Sequence, residues 1–118
     1  MKIFYGYNGH EYDLEEILQG SIGPGWIPLV MRLAESLVEA GWNRRLLQVK
    51  EKWGGLRFYI DYGNSEVFRL IEEAEKESYF ICEDCGNNET AAARNDGWIR
   101  TLCNDCESRA CKARREMV

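Results

Sequence analysis

Four of the five cysteines fall as Cys82-Glu83-Asp84-Cys85 and Cys103-Asn104-Asp105-Cys106, two CxxC pairs with seventeen residues between them. A CxxC pair lets one tight turn aim two sulfurs at a single metal, and a second pair from a distant segment completes the tetrahedron that Zn2+ accepts. The spacing therefore predicts one structural Zn2+ per chain, held by Cys82, Cys85, Cys103 and Cys106. Two disulfides, or reduced thiols in a core, are the competing readings. The opening stretch from Met1 to Glu16 shows neither an apolar export core nor a small-residue cleavage site, so reduced thiols and a cytoplasmic setting are the expectation. Four thiolates close the coordination sphere, whereas a catalytic zinc keeps one position open. The metal is thus expected to build architecture rather than to perform hydrolysis.

The organisation of the chain changes near residue 80. Residues 1–80 alternate helical and strand-like patterns, and residues 81–118 hold few large apolar side chains apart from Trp98, Ile99 and Leu102. The expected fold is α+β: a small helical body with an antiparallel β-hairpin, followed by a four-cysteine module of zinc-ribbon or treble-clef type. Such a module lacks the apolar residues for its own core, so its folding is expected to be coupled to metal binding. The longest mostly apolar stretch, Gly23 to Val38, is broken by Pro24, Pro28, Arg32 and Glu35, which falls short of the ~20 apolar residues of a membrane span. No membrane association is expected.

Local signals place the elements. Asp13 with Glu16 resembles a capping box at the head of a helix over 13–19, with Leu14, Ile17 and Leu18 on one side and Gly20 as the stop. Leu29, Val30, Leu33, Ala34, Leu37 and Val38 recur at helical spacing over 26–40, with Pro28 in the first turn and Gly41 beyond the end. Asn64 or Ser65 can cap a helix over 65–79, which turns Val67, Leu70, Ile71, Ala74 and Ser78 to one side and carries a Glu72/Lys76 pair on the other. Between these helices, Leu47, Val49, Glu51 and Trp53 alternate with polar residues, as do Leu56, Phe58, Ile60 and Tyr62. Two such runs around Gly54-Gly55 predict a β-hairpin over 46–62. In the last part, Ala91 to Arg94 and Trp98 to Leu102 are expected to form a second hairpin, turning at Asn95-Asp96-Gly97, with a terminal helix over 107–115.

One face of the first hairpin carries Lys50, Lys52, Arg57 and Tyr59. This is either a basic, aromatic surface for nucleic acid or an acidic partner, or the solvated side of a sheet. A second basic group, Arg109, Lys112, Arg114 and Arg115, either meets phosphate or complements the end of the last helix. The formal charge of −5, taken to about −7 by four thiolates around a dication, opposes bulk attraction to phosphate but leaves room for a local basic patch. The glutamates at 72, 73, 75 and 77 read as a solvating helix face, with mimicry of phosphates as the sharper alternative. His10, the sole histidine, lies in an Asn8-Gly9-His10-Glu11 turn, and Cys111 is read as a spare thiol. Trp26, Trp42, Tyr5 and Tyr7 are candidates for core or for interface anchors.

The combination Val49-Lys50-Glu51-Lys52-Trp53-Gly54-Gly55-Leu56-Arg57-Phe58-Tyr59, then Ala74-Glu75 and Ser78, then Cys82-x-x-Cys85-Gly86 and Gly97-Trp98-Ile99-Arg100-Thr101-Leu102-Cys103-x-x-Cys106, resembles a group of small uncharacterised proteins of bacteria and their phages. The likeness runs over residues 42–106. It implies a zinc site and a phage or mobile-element setting, in which small acidic proteins act by binding and disabling a host protein. The departure is Trp53, where phenylalanine is expected, both filling an aromatic core position. The leading expectation is accordingly a non-enzymatic, zinc-stabilised binding protein with a protein partner, for example an inhibitor of a host defence or regulatory complex. The alternative is a nucleic-acid-binding zinc ribbon. An enzyme with its site outside the zinc module is the third class, since no nucleophile, base and orienting group share one motif. Self-association is left open.

Overall fold

The computed structural model describes residues 1–95 and 97–116, the last six of them as helix backbone alone. The chain runs β1 (Lys2–Tyr5), β2 (Glu11–Asp13), α1 (Leu14–Gln19), a 3-10 turn (Pro24–Trp26), α2 (Ile27–Glu39), β3 (Arg45–Lys52), β4 (Gly55–Ile60), α3 (Ser65–Ser78), β5 (Ala92–Asn95), β6 (Ile99–Leu102) and α4 (Asn104–Glu116). The first four strands form one sheet in the order β2-β1-β3-β4, and β5-β6 form a second. β1 is antiparallel to β2 and parallel to β3, where Phe4 faces Arg45 and Tyr5 faces Leu46. These two N-terminal strands are additions to the expected α+β plan. No described helix is long and apolar enough to cross a membrane.

The core lies between the helices and one face of the larger sheet. Ile3, Leu46, Val49, Leu56 and Phe58 point inward to meet Leu14, Leu18, Leu33, Leu37, Val67 and Ile71. Trp26 is fully buried and Trp42 nearly so, while Tyr5 packs at the margin and Tyr7 is exposed, which divides the four aromatic candidates. Val38, expected in the buried stripe of α2, lies on its exposed flank.

Helix ends are fixed by the residues expected there. Asp13 accepts from the Glu15 amide (3.0 Å) and Asn64 from the Val67 amide (2.9 Å), each satisfying a first-turn donor. Asn64 also donates to the Ala40 carbonyl (2.8 Å), tying the start of α3 to the end of α2. α2 ends in a Schellman motif: Gly41 is left-handed at φ 102°, its amide meets the Val38 carbonyl, and the Trp42 amide meets that of Leu37. α3 then lies along β4. Its Ser78 hydroxyl accepts from the Leu56 amide (3.0 Å) and its Glu75 carboxylate from the Phe58 amide (3.1 Å).

The first hairpin differs from expectation at its tip and in its register. Lys52 pairs with Gly55, so the turn is Trp53-Gly54 and not Gly54-Gly55. Both turn residues are left-handed, at φ 56° and 82°, as a type I′ turn requires. Trp53 is consequently held at the tip with 67% of its surface exposed, not in the core. Gly55 is required for a different reason: a Cβ there would lie 2.3 Å from the Tyr79 hydroxyl. An irregularity between Leu46 and Gln48 shifts the alternation in β3, which makes Leu46 and Val49 the buried pair.

The C-terminal part docks on the body backbone to backbone. The Gly25 amide donates to the Glu83 carbonyl (2.7 Å), and the Trp26 indole donates to the Ile81 carbonyl (2.7 Å). A Cβ on Gly25 would sit 2.0 Å from the Cys82 carbonyl oxygen and 2.5 Å from the Gly86 nitrogen. Only glycine fits.

Two substitutions test this description. Gly25→Ala should destabilise by at least about 1–3 kcal/mol, because rigid backbone and not a flexible side chain must move. Trp53→Asn should raise the urea midpoint by the equivalent of about 1 kcal/mol at unchanged m, since asparagine tolerates the left-handed region that a bulky residue does not.

Candidate metal centre and the open face of the hairpin

Two turns from opposite ends of the second hairpin bring the cysteines together. In the first, the Gly86 amide closes on the Cys82 carbonyl (2.9 Å), with Gly86 left-handed at φ 83°. In the second, Cys103 leaves β6 and Cys106 lies in the first turn of α4. The four Sγ atoms lie within 4.8 Å of one another, positioned to hold a metal ion. None of the four is in a disulfide. Sulfurs around a tetrahedral ion with bonds of ~2.3 Å stand ~3.8 Å apart, and Cys85 and Cys103 are separated by 3.6 Å. The donor set fits such an ion.

The surroundings of the sulfurs divide. The Asn87 amide points at Cys85 Sγ (3.4 Å), the Cys106 amide at Cys103 Sγ (3.5 Å), and the Arg109 guanidinium donates to Cys106 Sγ (3.0 Å). Burial works to raise the Cys82 thiol, but the backbone amides of Cys103, Cys85 and Asp84 outweigh it and bring it down to about 7. Burial and the Cys103 thiol push Cys106 up to about 12. Four clustered thiols cannot all ionise unaided, and a dication removes that obstacle. Cys82, Cys103 and Cys106 are buried, whereas Cys85 is exposed.

Glu83, between the first two cysteines, went unnoticed in the sequence. Its carboxylate accepts from the Thr101 amide (2.6 Å), and its own amide donates to the Thr101 carbonyl (2.9 Å). Thr101 in turn donates its hydroxyl to the Gly54 carbonyl at the tip of the first hairpin (2.6 Å). Residues 83 and 101 thus join the cysteine turn, β6, the Pro24–Trp26 turn and the β3-β4 tip. Burial pushes the Glu83 carboxyl up to about 7. The only sequence sign was a carboxylate inside a CxxC turn, which solvent-facing residues share.

The basic residues of the first hairpin do assemble. Lys50 lies opposite Arg57 and Lys52 opposite Gly55, on the face away from the helices, and the Lys50 ammonium stands 6.0 Å from the centre of the Tyr59 ring. Arg45 extends this face and pairs with Asp61 at 3.5 Å. Arg44 and Arg45 flank the Phe4 ring at 5.4 and 5.8 Å. Arg57 is anchored: its guanidinium donates to the Tyr79 hydroxyl (3.2 Å) and the Leu56 carbonyl (2.8 Å), and the Tyr79 bond raises its pKa further. Arg109 is not part of this face, since it addresses Cys106. The side chains of Cys111, Lys112, Arg114 and Arg115 lie outside the described residues.

The glutamates of α3 are largely engaged. Arg69 bridges Glu66 and Glu73, Lys76 pairs with Glu72 at 3.1 Å, and Arg32 with Glu77 at 3.8 Å. Those pairs are exposed and each contributes little to stability, and with five glutamates against Arg69 and Lys76 the helix keeps a net negative charge.

Comparison with family models, curated proteins and solved structures finds no match to this chain.

If the four sulfurs bind one ion together, Cys85→Ser lowers bound zinc from one per chain to none, read by elemental analysis of the purified protein. Amide protection should then disappear over β5, β6 and α4 while persisting in β3 and β4. Retention of one zinc per chain would remove Cys85 from the ligand set.

Proposed function

We propose that the chain is a non-enzymatic binding protein whose single zinc is structural and whose working surface is the open face of β3 and β4, directed at nucleic acid. The observation that carries this reading is the row of Lys50, Lys52 and Arg57 along the outward face of β3 and β4, with Lys50 beside the Tyr59 ring. The formal charge is −5, so cations collected on one face are segregated there. Lys and Arg interleaved with an aromatic ring suit a phosphate backbone and its bases together. In this reading the cysteine module is a treble-clef type unit: a cysteine turn, a hairpin, and a helix whose first turn supplies the second ligand pair. Its helix dipole favours thiolate charge, and its place is to hold the tip of the first hairpin.

A second reading is a protein partner, in keeping with the resemblance to bacterial and phage proteins. It is favoured by Phe80, which is 67% exposed beside a cavity of about 500 Å³ that Pro24, Pro28 and Ile81 also line. That surface lies apart from the basic face.

Nucleic-acid binding through the sheet should weaken steeply with salt, with roughly 0.7 in the slope of log K against log salt for each phosphate neutralised on a single strand. Replacing Lys50 and Lys52 together by glutamine should lower that slope by roughly 1–1.5, read by fluorescence anisotropy of a labelled oligonucleotide titrated with the zinc-loaded protein. Undetectable binding at low salt to single-stranded and double-stranded DNA and RNA refutes the reading.

A further inference from the structure

The tips of the two hairpins face a common cleft. Glu51, Lys52 and Trp53 line it from the first hairpin, and Asn95, Trp98 and Ile99 from the second, around a volume of about 420 Å³. Trp53 and Trp98 are each 67% exposed, in contrast to Trp26 and Trp42, which the core absorbs. The tip of the first hairpin is fastened to β6, beside the cleft, by the buried bond from the Thr101 hydroxyl to the Gly54 carbonyl (2.6 Å).

Two independent observations mark this cleft as more than a crevice. A type I′ turn favours asparagine, aspartate or glycine at its first central position, yet this chain holds a tryptophan there at φ 56°. Strain of this kind persists only where the surrounding structure enforces it, and it concentrates at binding sites. The second observation is continuity of charge. Lys52 lines the cleft and also belongs to the basic face, with Lys50 and Arg57 next along the strands. Among the described lining residues the acid is Glu51, which directs its carboxylate at the Gly54 amide (2.6 Å), where it supports the turn.

We infer that this cleft receives an unpaired nucleobase, stacked against Trp53 and Trp98, from a single strand whose phosphates lie along Lys52, Lys50 and Arg57. The inference rests on the nucleic-acid reading of the open face and adds to it a preference for single strands. Charge alone attracts a duplex and a single strand alike, whereas a base can enter a tryptophan-lined cleft only when it is out of the helix. Aromatic stacking is tolerant of base identity, because every base presents a π face. Sequence selectivity is therefore expected to be slight.

The decisive comparison titrates the full, zinc-loaded chain against two labelled oligonucleotides of equal length and charge, oligothymidylate and an abasic sugar-phosphate strand. The wild type should bind the base-bearing strand on the order of 10- to 100-fold more tightly, as expected for one stacked base. Trp98→Ala, and separately Trp53→Asn, should bring that ratio towards one while leaving affinity for the abasic strand unchanged. Trp53→Asn relieves the turn, so loss of the ratio in that variant cannot be assigned to a damaged fold. Glutamine at both Lys50 and Lys52 should weaken both strands by the same factor and preserve the ratio. Equal affinity of the wild type for the two strands overturns the cleft inference and leaves the electrostatic reading standing. Absence of binding to either strand overturns both, and leaves the protein partner as the surviving reading.

Discussion

Everything in the last third of this chain depends on one electrostatic constraint. Four cysteine sulfurs lie within 4.8 Å of one another, an arrangement that mutual repulsion forbids to bare thiolates and that a dication makes favourable. The segment has little else to hold it. Leu102 with Cys82, Cys103 and Cys106 forms its buried apolar centre, with Ala91 and Ala110 packed beside them. If the four sulfurs hold an ion, its affinity and the folding of this segment are one free energy. The module also contributes outward: through Thr101 it grips the β3-β4 tip, and through Glu83 it meets the turn at Gly25.

The body is organised the other way, by apolar burial on one face of a sheet and solvation of the other. Because the helices sit on a single side, the second face is free to gather charge without desolvating it. Cations spaced along β3 and β4 cost little when solvated, and Lys50 still gains from the Tyr59 ring beneath it. The arrangement leaves the open face independent of the core, so substitutions of its charged residues can leave the buried packing intact.

Much of this was legible in the sequence. The clustering of Cys82, Cys85, Cys103 and Cys106 follows from spacing alone, and three helices follow from apolar periodicity and their capping residues Asp13, Asn64 and Gly41. β1 and β2 escaped because strands of four and three residues are too short to show a period, and β1 joins the rest of the sheet by pairing with β3 some forty residues later. Trp53 was misplaced because alternation carries a pattern through a turn that it cannot see. The irregularity after Leu46 had the same effect on β3. Glu83 and Thr101 were invisible for a deeper reason: a buried hydrogen-bonded pair is a property of two segments, and neither segment alone looks unusual. The requirement for glycine at 23 and 25, contact with the backbone of residues 82–86, is likewise written in three dimensions.

The way α3 lies along β4 carries a consequence for how copies of this protein meet. A strand at the border of a sheet ordinarily offers its amides as a template for another chain. Here Glu75 and Ser78 already occupy the amides of Phe58 and Leu56, so an incoming strand would have to displace a helix to pair with β4. The opposite border, β2, is three residues long and gives too short a ladder to be adhesive. Growth of the sheet by strand addition is closed at one end and feeble at the other. A chain with a solvated, aromatic sheet face can therefore remain dispersed at high concentration without relying on its net charge alone.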